Sequence, residues 1–199
     1  MRIVGLGTAG CNITKAFSKF PQYHTYTIDT HESADITIRK KNNHEDYDAN
    51  FPNLKRKLRF TNDDVTIIVA GSGAISGGIL SLMEQLQSNR ITVVYIQTDL
   101  ELASTVQLSQ ERVVRNVLQE YARSGVLERI YLLDNQMIEI GVGETPILGY
   151  YDVLNQAIVN TLHMINIFNN TDPVIGTLIT PSNLSRIATI GILDVEEEK

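Results

Sequence analysis

Two glycine-rich loops, each placed directly after a hydrophobic run, constrain the fold of this chain more than any other feature. The first loop is residues 5–12 (GLGTAGCN) and the second is residues 70–78 (AGSGAISGG). Glycine lets the backbone approach an anion closely, and a helix that follows such a loop directs its free N–H groups and positive dipole end to the same place. Two strand-loop-helix units therefore predict a nucleotide polyphosphate held from two sides at the carboxyl edge of a parallel sheet.

The composition narrows the class of protein. The chain has 199 residues, the length of one ordinary domain, and a net charge of −6, which argues against a general nucleic-acid surface. Cys11 is the only cysteine, so no disulfide framework can form within the chain, and a reducing, cytoplasmic setting is expected. The four histidines are scattered without ligand spacing, so no metal site is predicted. No apolar run reaches the ~20 residues of a membrane span, and no secretory signal is recognised.

Strand and helix patterns alternate along the chain, as in a sheet covered by helices on both faces. Continuous apolar runs rich in β-branched residues predict buried parallel strands. The sequence therefore predicts an α/β fold with three layers and a mainly parallel, Rossmann-like sheet. The predicted strands are residues 1–6, 25–28, 36–38, 65–70, 91–96, 130–133 and 174–179, and the predicted helices are residues 11–20, 79–86, 112–122 and 147–168.

The other segments are expected to connect these elements. Residues 40–53 are polar and are predicted to form an irregular loop before a short helix at residues 54–58. After Pro181 we expect a short helix and then a frayed acidic tail. We find no internal repeat and no low-complexity linker. The sequence therefore predicts one nucleotide-binding domain over residues 1–185, followed by a C-terminal segment, residues 186–199, with an acidic tail.

The first loop alone also fits the dinucleotide-binding fingerprint. Gly5-x-Gly7-x-x-Gly10 follows a strand, and Asp29 ends the next strand about 20 residues further on, where a ribose-binding acid would lie. A nicotinamide- or flavin-dependent oxidoreductase is therefore an alternative, although such an enzyme does not require the second loop. Another alternative is that the glycines only permit tight packing between strands and helices.

Taken together, these segments resemble the nucleotide-binding domain of the tubulin and FtsZ family. Residues 5–12 are similar to the family's first loop, with an asparagine at its end. Read from Gly73, the second loop resembles the family's GGGTGTG signature, with Gly73 and Gly77 retained and Ser76 in place of the first threonine. Residues 151–155 (YDVLN) resemble the tubulin pattern Tyr-x-x-Leu-Asn. The resemblance covers approximately residues 1–185.

The resemblance implies a site for GTP or GDP, with Mg²⁺ beside a triphosphate. Glycines of both loops would approach the phosphates, a serine hydroxyl would donate to them, and asparagine and tyrosine side chains would hold the nucleoside. Tyr151 and Asn155 lie one helical turn apart on one face, so a ring and an amide could meet one purine. A packed aromatic and a solvated amide would show the same spacing. The implied nucleotide-binding residues are Gly7, Gly10, Asn12, Gly71, Gly73, Ser76, Gly77, Asn135, Tyr151 and Asn155.

Two departures from the family bear on catalysis. The family's third loop contacts the terminal phosphate through small residues, whereas residues 40–53 are charged and contain no glycine. The seventh loop of FtsZ carries acidic residues that activate water, and the corresponding places here hold Ser182 and Ser185. A serine orients and polarises water poorly compared with a carboxylate. We therefore predict no catalytic residues and impaired or partner-dependent GTP hydrolysis.

The resemblance also implies assembly, either as a homo-oligomer or with a tubulin/FtsZ-like partner. The main alternative keeps the fold without the nucleotide, as a structural or interaction module. A phosphate site filled by side chains would support that alternative.

Overall fold

The computed structural model describes residues 1–97, 103–143, 148–172 and 185–190. Its strands form a single parallel sheet with the order β3-β2-β1-β4-β5-β6-β7 when numbered along the chain. The first six strands have the order of a Rossmann-type doubly wound sheet. The predicted α/β class is confirmed. The strands are β1 (Arg2–Leu6), β2 (His24–Asp29), β3 (Ile36–Thr37), β4 (Asp64–Ala70), β5 (Arg90–Ile96), β6 (Arg129–Leu133) and β7 (Ile187–Thr189).

Helices cover both faces of this sheet. Short 3-10 helices also occur, at Phe17–Lys19 after the first α-helix and at Ala74–Gly78 before the third. Within the described ranges no helix is long and apolar enough to cross a membrane. The α-helices are α1 (Gly7–Ala16), α2 (His44–Ala49), α3 (Ile79–Gln85), α4 (Thr105–Arg123), α5 (Asn135–Val142) and α6 (Tyr150–Asn170).

Alternate residues of each strand supply two hydrophobic cores. Along β4, Ile67 and Val69 belong to the core shared with α2, α3 and α4, whereas Ile68 belongs to the core shared with α1, α5 and α6. Successive strand residues point to opposite faces, so a strand buried on both faces is a continuous apolar run. The three-layer prediction from the apolar runs is thus confirmed.

Two helices begin earlier than the sequence pattern indicates. α1 starts at Gly7 rather than at residue 11, so part of the first glycine-rich loop is the first turn of the helix. α4 starts at Thr105 rather than at residue 112, because Ser104 and Gln107 form a reciprocal capping box.

The segment predicted to be an irregular loop contains α2. Asn43 caps this helix, since its side-chain oxygen accepts a hydrogen bond from the Asp46 N–H at 2.8 Å. The prediction of a short helix at residues 54–58 is wrong. Only one hydrogen-bonded turn forms there, in which the Leu58 N–H donates to the Leu54 carbonyl at 2.8 Å. Both leucines are buried, so a single turn produces the four-residue spacing that suggested a helix.

Two further elements differ from the sequence prediction. α5 is too short for a clear periodic pattern, and it is delimited by the cap residue Asp134 and by Gly143 at φ +77°. β7 lies where a short helix is predicted after Pro181, and it pairs in parallel with β6. The strand predicted at residues 174–179 lies outside the described residues.

Candidate functional site

The sheet changes its winding direction between β1 and β4. The chain leaves β1 into α1 on one face of the sheet and leaves β4 toward α3 on the other face. Since β1 and β4 pair in parallel, the two glycine-rich loops follow neighbouring strand ends at the carboxyl edge. In open α/β sheets this switch point is where a crevice forms and ligands bind.

A cavity of about 320 Å³ opens at this edge beside the first loop. Its walls come from α1, the ends of β4 and β5, and the N-terminal turns of α4, α5 and α6. The volume falls at the lower end of the range for small-molecule pockets, ~300–1,000 Å³. Asn135, Tyr151 and Asn155, the three residues predicted to hold a nucleoside, line this one cavity together.

The N-terminal turns of α6 bring an aromatic ring and an amide into the cavity. Tyr151 is 70% exposed, and its ring meets that of Tyr150 edge-on with 5.2 Å between centroids. Asn155 is half-buried one turn later. Leu154 lies between them in the chain and is buried in the core with α1, which fixes this end of α6. Tyr151 is therefore a surface aromatic at the cavity wall and not a core residue.

α5 adds polar side chains to the wall of the same cavity. Its N-cap Asp134 accepts a hydrogen bond from the Gln136 N–H at 2.9 Å, which holds the first turn in place. Asn135, Gln136 and Glu139 of this helix line the cavity. Asn135 is a predicted site residue, whereas Gln136 and Glu139 are not, because the sequence pattern does not indicate the helix that carries them.

Gln97 and Gln107 are further lining residues that the sequence analysis missed. Gln97 accepts a hydrogen bond from Arg115 Nη1 at 2.8 Å. Gln107 belongs to the capping box of α4, and its Nε2 donates to the Ser72 carbonyl of the second loop at 3.4 Å. The Ser-x-x-Gln spacing at residues 104–107 was a usable signal for the start of α4.

The two phosphate-loop glycines predicted on the β1 side have different structural roles. Gly7 has φ +76°, a conformation that favours glycine. A Cβ on Gly10 would lie 2.3 Å from the Ile68 carbonyl oxygen, so Gly10 is required for α1 to pack against β4. The packing interpretation therefore accounts for Gly10.

Other residues near the first loop face away from the cavity or are engaged within the protein. Asn12 is exposed on α1 and does not line the cavity as described. Both carboxylate oxygens of Asp29 accept hydrogen bonds, one from Thr8 Oγ1 at 2.9 Å and one from the Thr30 N–H at 2.7 Å. Asp29 is only 6% exposed. It therefore fixes the start of α1, and these contacts count against its use as a ribose-binding acid.

Glycines of the second loop contact protein atoms on its outer side. A Cβ on Gly71 would lie 2.4 Å from Tyr95 Oη, and one on Gly77 would lie 2.2 Å from the His44 carbonyl oxygen. The loop is thus packed against β5 on one side and against α2 on the other. The charged segment at residues 40–53 contributes to this packing through α2.

The inner side of the second loop is occupied by its own side chains. Ser76 is buried, and its hydroxyl donates to the Gly73 carbonyl at 2.7 Å. The Ile75 side chain lies between Gly73 and Gly7. A Cβ on Gly73 would meet only Ile75 within 4 Å, at 3.7 Å. Among the glycines of the second loop, Gly73 is therefore the one at which a side chain would meet the least steric hindrance.

A buried carboxyl group lies behind the second loop. Glu111 is 5% exposed and its Oε1 is 3.5 Å from Arg115 Nε. Burial raises the pKa of Glu111, and the nearby Arg115 and Arg112 guanidinium groups partly offset that shift. Burial, followed by the charge of Glu111, likewise raises the pKa of Tyr95. These groups hold α4 against β5 beneath Gly71.

Cys11 does not supply a reactive thiolate. Its thiol is buried and contacts the Gly5 and Ile28 carbonyl oxygens, each at 3.5 Å. Burial, with a smaller contribution from Asp29, raises the pKa of Cys11 to about 12. In the part of the chain that the structure describes, no three His, Cys, Asp or Glu side chains are grouped to hold a metal ion.

The topology and the position of the cavity define a doubly wound α/β domain with a ligand crevice at its switch point. The sequence matches no protein-family model and no curated protein. Solved structures nevertheless match closely in shape. An FtsZ mutant from M. jannaschii matches with a TM-score of 0.71 and 16% identity over 94% of this chain and 63% of the other.

Two protofilament structures match similarly. CetZ2 from Haloferax volcanii, bound to GTPγS, gives a TM-score of 0.64 and 16% identity over 88% of this chain and 60% of the other. TubZ from Bacillus thuringiensis serovar israelensis, in its GTPγS form, gives 0.65 and 17% over 84% and 55%. The chain thus spans less than two thirds of the length of each structure. It has a tubulin/FtsZ-like fold, as the resemblance in the sequence implies.

Proposed function

We propose that this chain is a tubulin/FtsZ-like protein that binds a guanine nucleotide, with the nucleoside in the cavity between α1, α5 and α6. The observation that carries the proposal is the convergence of Asn135, Tyr151 and Asn155 on one cavity at the switch point. These residues come from the first turns of two consecutive helices, α5 and α6, and the packing of the two helices brings them to one cavity.

The chemistry of the lining suits a purine nucleoside. An exposed tyrosine ring offers a stacking surface worth about 1–3 kcal/mol for a base. Asparagine amides both donate and accept hydrogen bonds, and the carboxylate of Glu139 can accept from the adjacent N–H groups of guanine. Adenine has no such pair of donors on its base-pairing edge, which favours guanine.

A nucleotide-free module remains the second candidate, since one observation favours it. Ile75 lies between the two loops that would cradle the phosphates. The open nucleoside cavity supports binding, whereas the filled space between the loops supports the alternative. The oxidoreductase reading has less support, because Asp29 is engaged by Thr8 and Thr30.

Assembly and hydrolysis complete the proposal. Two of the similar structures are protofilaments, which supports self-assembly or assembly with a tubulin/FtsZ-like partner. We propose that hydrolysis is impaired or depends on a partner. Ser185, one of the two serines in place of acidic residues, is exposed, and Ser182 lies outside the described residues. Mg²⁺ would accompany a polyphosphate ligand.

Calorimetric titration of the purified protein with guanosine, GMP, GDP, GTP, ATP and NAD tests the proposal. We expect guanine compounds to bind selectively. Tyr151→Ala and Asn155→Ala should each weaken guanosine binding by about 1 kcal/mol or more, the scale of a lost stack or hydrogen bond.

Matched controls separate these effects from general damage. Tyr121→Ala changes a tyrosine on α4 that does not line the cavity, and Asn160→Ala changes an exposed asparagine on α6. Both controls should bind guanosine like the parent. If no guanine compound binds the parent protein, the proposal is wrong and the nucleotide-free module replaces it. Selective binding of NAD would instead support the alternative hypothesis of an oxidoreductase.

A further inference from the structure

The side chain of Ile75, a residue of the second glycine-rich loop, extends to the first loop. Its Cγ2 lies 2.6 Å from the position that a Cβ on Gly7 would take, and 3.7 Å from the corresponding position on Gly73. A branched apolar side chain of the second loop therefore lies against the first turn of α1 at Gly7. Ile75 also packs against the core shared with α3 and α4.

The backbone that carries Ile75 is held from several directions. The next residue, Ser76, is buried, and its N–H and hydroxyl both donate to the Gly73 carbonyl, at 2.9 and 2.7 Å. Behind the loop, a Cβ on Gly77 would lie 2.2 Å from the His44 carbonyl, and one on Gly78 would lie 2.2 Å from the Phe51 ring. The loop cannot move outward without displacing α2 and Phe51.

The charge of the adjoining cavity, which we assign to the nucleoside, bears on how far a phosphate chain could extend from it. Glu139 is the charged residue among the lining residues, which include neither lysine nor arginine in the part of the chain that the structure describes. A chain of phosphates is stabilised by cationic groups and N–H donors, whereas methyl groups offer no hydrogen bond to replace the lost water. The described walls thus suit the nucleoside better than the end of a triphosphate.

We propose that Ile75 is a specificity-determining residue that restricts the site to guanosine or to guanine nucleotides with a short phosphate chain, and disfavours the terminal phosphate of GTP. This inference rests on the proposed function. It concerns the length of the phosphate chain, while the proposed function concerns recognition of the nucleoside.

Titration of guanosine, GMP, GDP and GTP into the parent and two variants, Ile75→Gly and Ile75→Ala, tests the inference. We expect the parent to bind GMP at least about tenfold more tightly than GTP, the scale on which one apolar group discriminates in a pocket. Ile75→Gly should raise GTP affinity by about tenfold and leave guanosine affinity within about twofold. Ile75→Ala should shift the GMP-to-GTP ratio in the same direction by less.

Ala74→Gly is the matched control. It introduces a glycine into the same 3-10 helix but leaves the Ile75 side chain in place, so its GMP-to-GTP ratio should equal that of the parent. Circular dichroism measures whether each variant is folded. If Ile75→Gly does not fold, the comparison is made with Ile75→Ala alone.

The outcomes separate the two proposals. The inference is overturned if the parent binds GTP more tightly than GMP, or if neither Ile75 variant changes the GMP-to-GTP ratio. In either case, binding of guanosine would still support the proposed function. If Ala74→Gly changes the ratio as Ile75→Gly does, backbone freedom explains the effect and the inference is likewise overturned. If no guanine compound binds any of the four proteins, both proposals fall.

Discussion

The cavity beside α5 and α6 and the space between the two glycine-rich loops differ in what fills them. Beside α5 and α6 there is an open cavity, with an exposed tyrosine and several amides in its walls. Between the loops at Gly7 and Gly73 there is an isoleucine side chain. The difference shows that glycine-rich loops indicate a close approach of something to the backbone, but not what approaches. At Gly10 it is a strand carbonyl, and at Gly77 it is a carbonyl of α2.

The largest expected effect comes from replacing a packed glycine with alanine, which adds one methyl group to it. Gly10→Ala would place a Cβ 2.3 Å from the Ile68 carbonyl oxygen, so α1 must shift away from β4. We expect a loss of about 3 kcal/mol in the free energy of unfolding, at the upper end for overpacking. Urea-induced unfolding measures it.

Gly73→Ala is the matched control, because its Cβ would meet only Ile75, at 3.7 Å. It should change the free energy of unfolding by less than about 1 kcal/mol, and a gain is allowed because glycine loses more entropy on folding. Equal losses at both positions would contradict the division between packing glycines and free glycines.

Removing the cap of α5 tests how the wall of the cavity beside α5 and α6 is held. Asp134→Ala deletes the acceptor of the Gln136 N–H, and we expect a loss of about 1 kcal/mol in the free energy of unfolding. Thermal or urea unfolding measures the change. Asp134→Asn keeps a capping side chain and should lose clearly less. If both variants lose the same amount, the charge of Asp134 rather than its capping bond is responsible.

The pH dependence of stability tests the buried carboxyl group behind the second loop. Burial raises the folded-state pKa of Glu111 above the ordinary 4.5, so the neutral form is favoured by folding. That stabilisation is fully present below the ordinary pKa and is lost as pH rises through the folded-state pKa. Glu111→Gln lacks this loss. Its free energy of unfolding should therefore improve relative to the parent as pH rises from about 4 to 8.

Urea unfolding at a series of pH values measures this trend. Glu120→Gln, at an exposed position on the same helix, is the matched control. A difference between parent and Glu111→Gln that is constant across the pH range would show that burial does not perturb this carboxyl group.

The smallest expected effect is at Tyr151. Because its side chain is 70% exposed, Tyr151→Ala should change the free energy of unfolding by no more than about 0.5 kcal/mol. Tyr95→Ala, in contrast, removes a fully buried ring and should cost several times more. A large loss at Tyr151 would show that the ring is structural and would weaken its assignment to a ligand.

The fold was largely predictable from the sequence, since the central parallel strands are buried on both faces and leave long apolar runs. Residues 65–70 and 91–96 are such runs, and both are central strands. Several short helical segments were not predictable. α5 has too few turns for a clear periodic pattern. At residues 54–58 a single turn buries two leucines four residues apart, and this spacing is the same as on one face of a helix.

The candidate site was predictable only in part. Tyr151 and Asn155 carry a local pattern, and helix geometry alone places them on one face. The environment of the glycines was not predictable, because it depends on atoms distant in sequence. Nothing near Gly77 in the chain indicates that the carbonyl of His44 lies against it, and nothing near Gly7 indicates the methyl group of Ile75.

The position of β1 in the sheet also affects how the chain can fold while it is being synthesised. β1 pairs with residues 24–28 along one edge and with residues 65–69 along the other. Its first partner emerges from the ribosome soon after it, but its second partner emerges only after the whole intervening segment. In that interval a hydrophobic strand edge has no native partner, and such edges pair readily with other chains. β1 therefore waits much longer for its second partner than for its first.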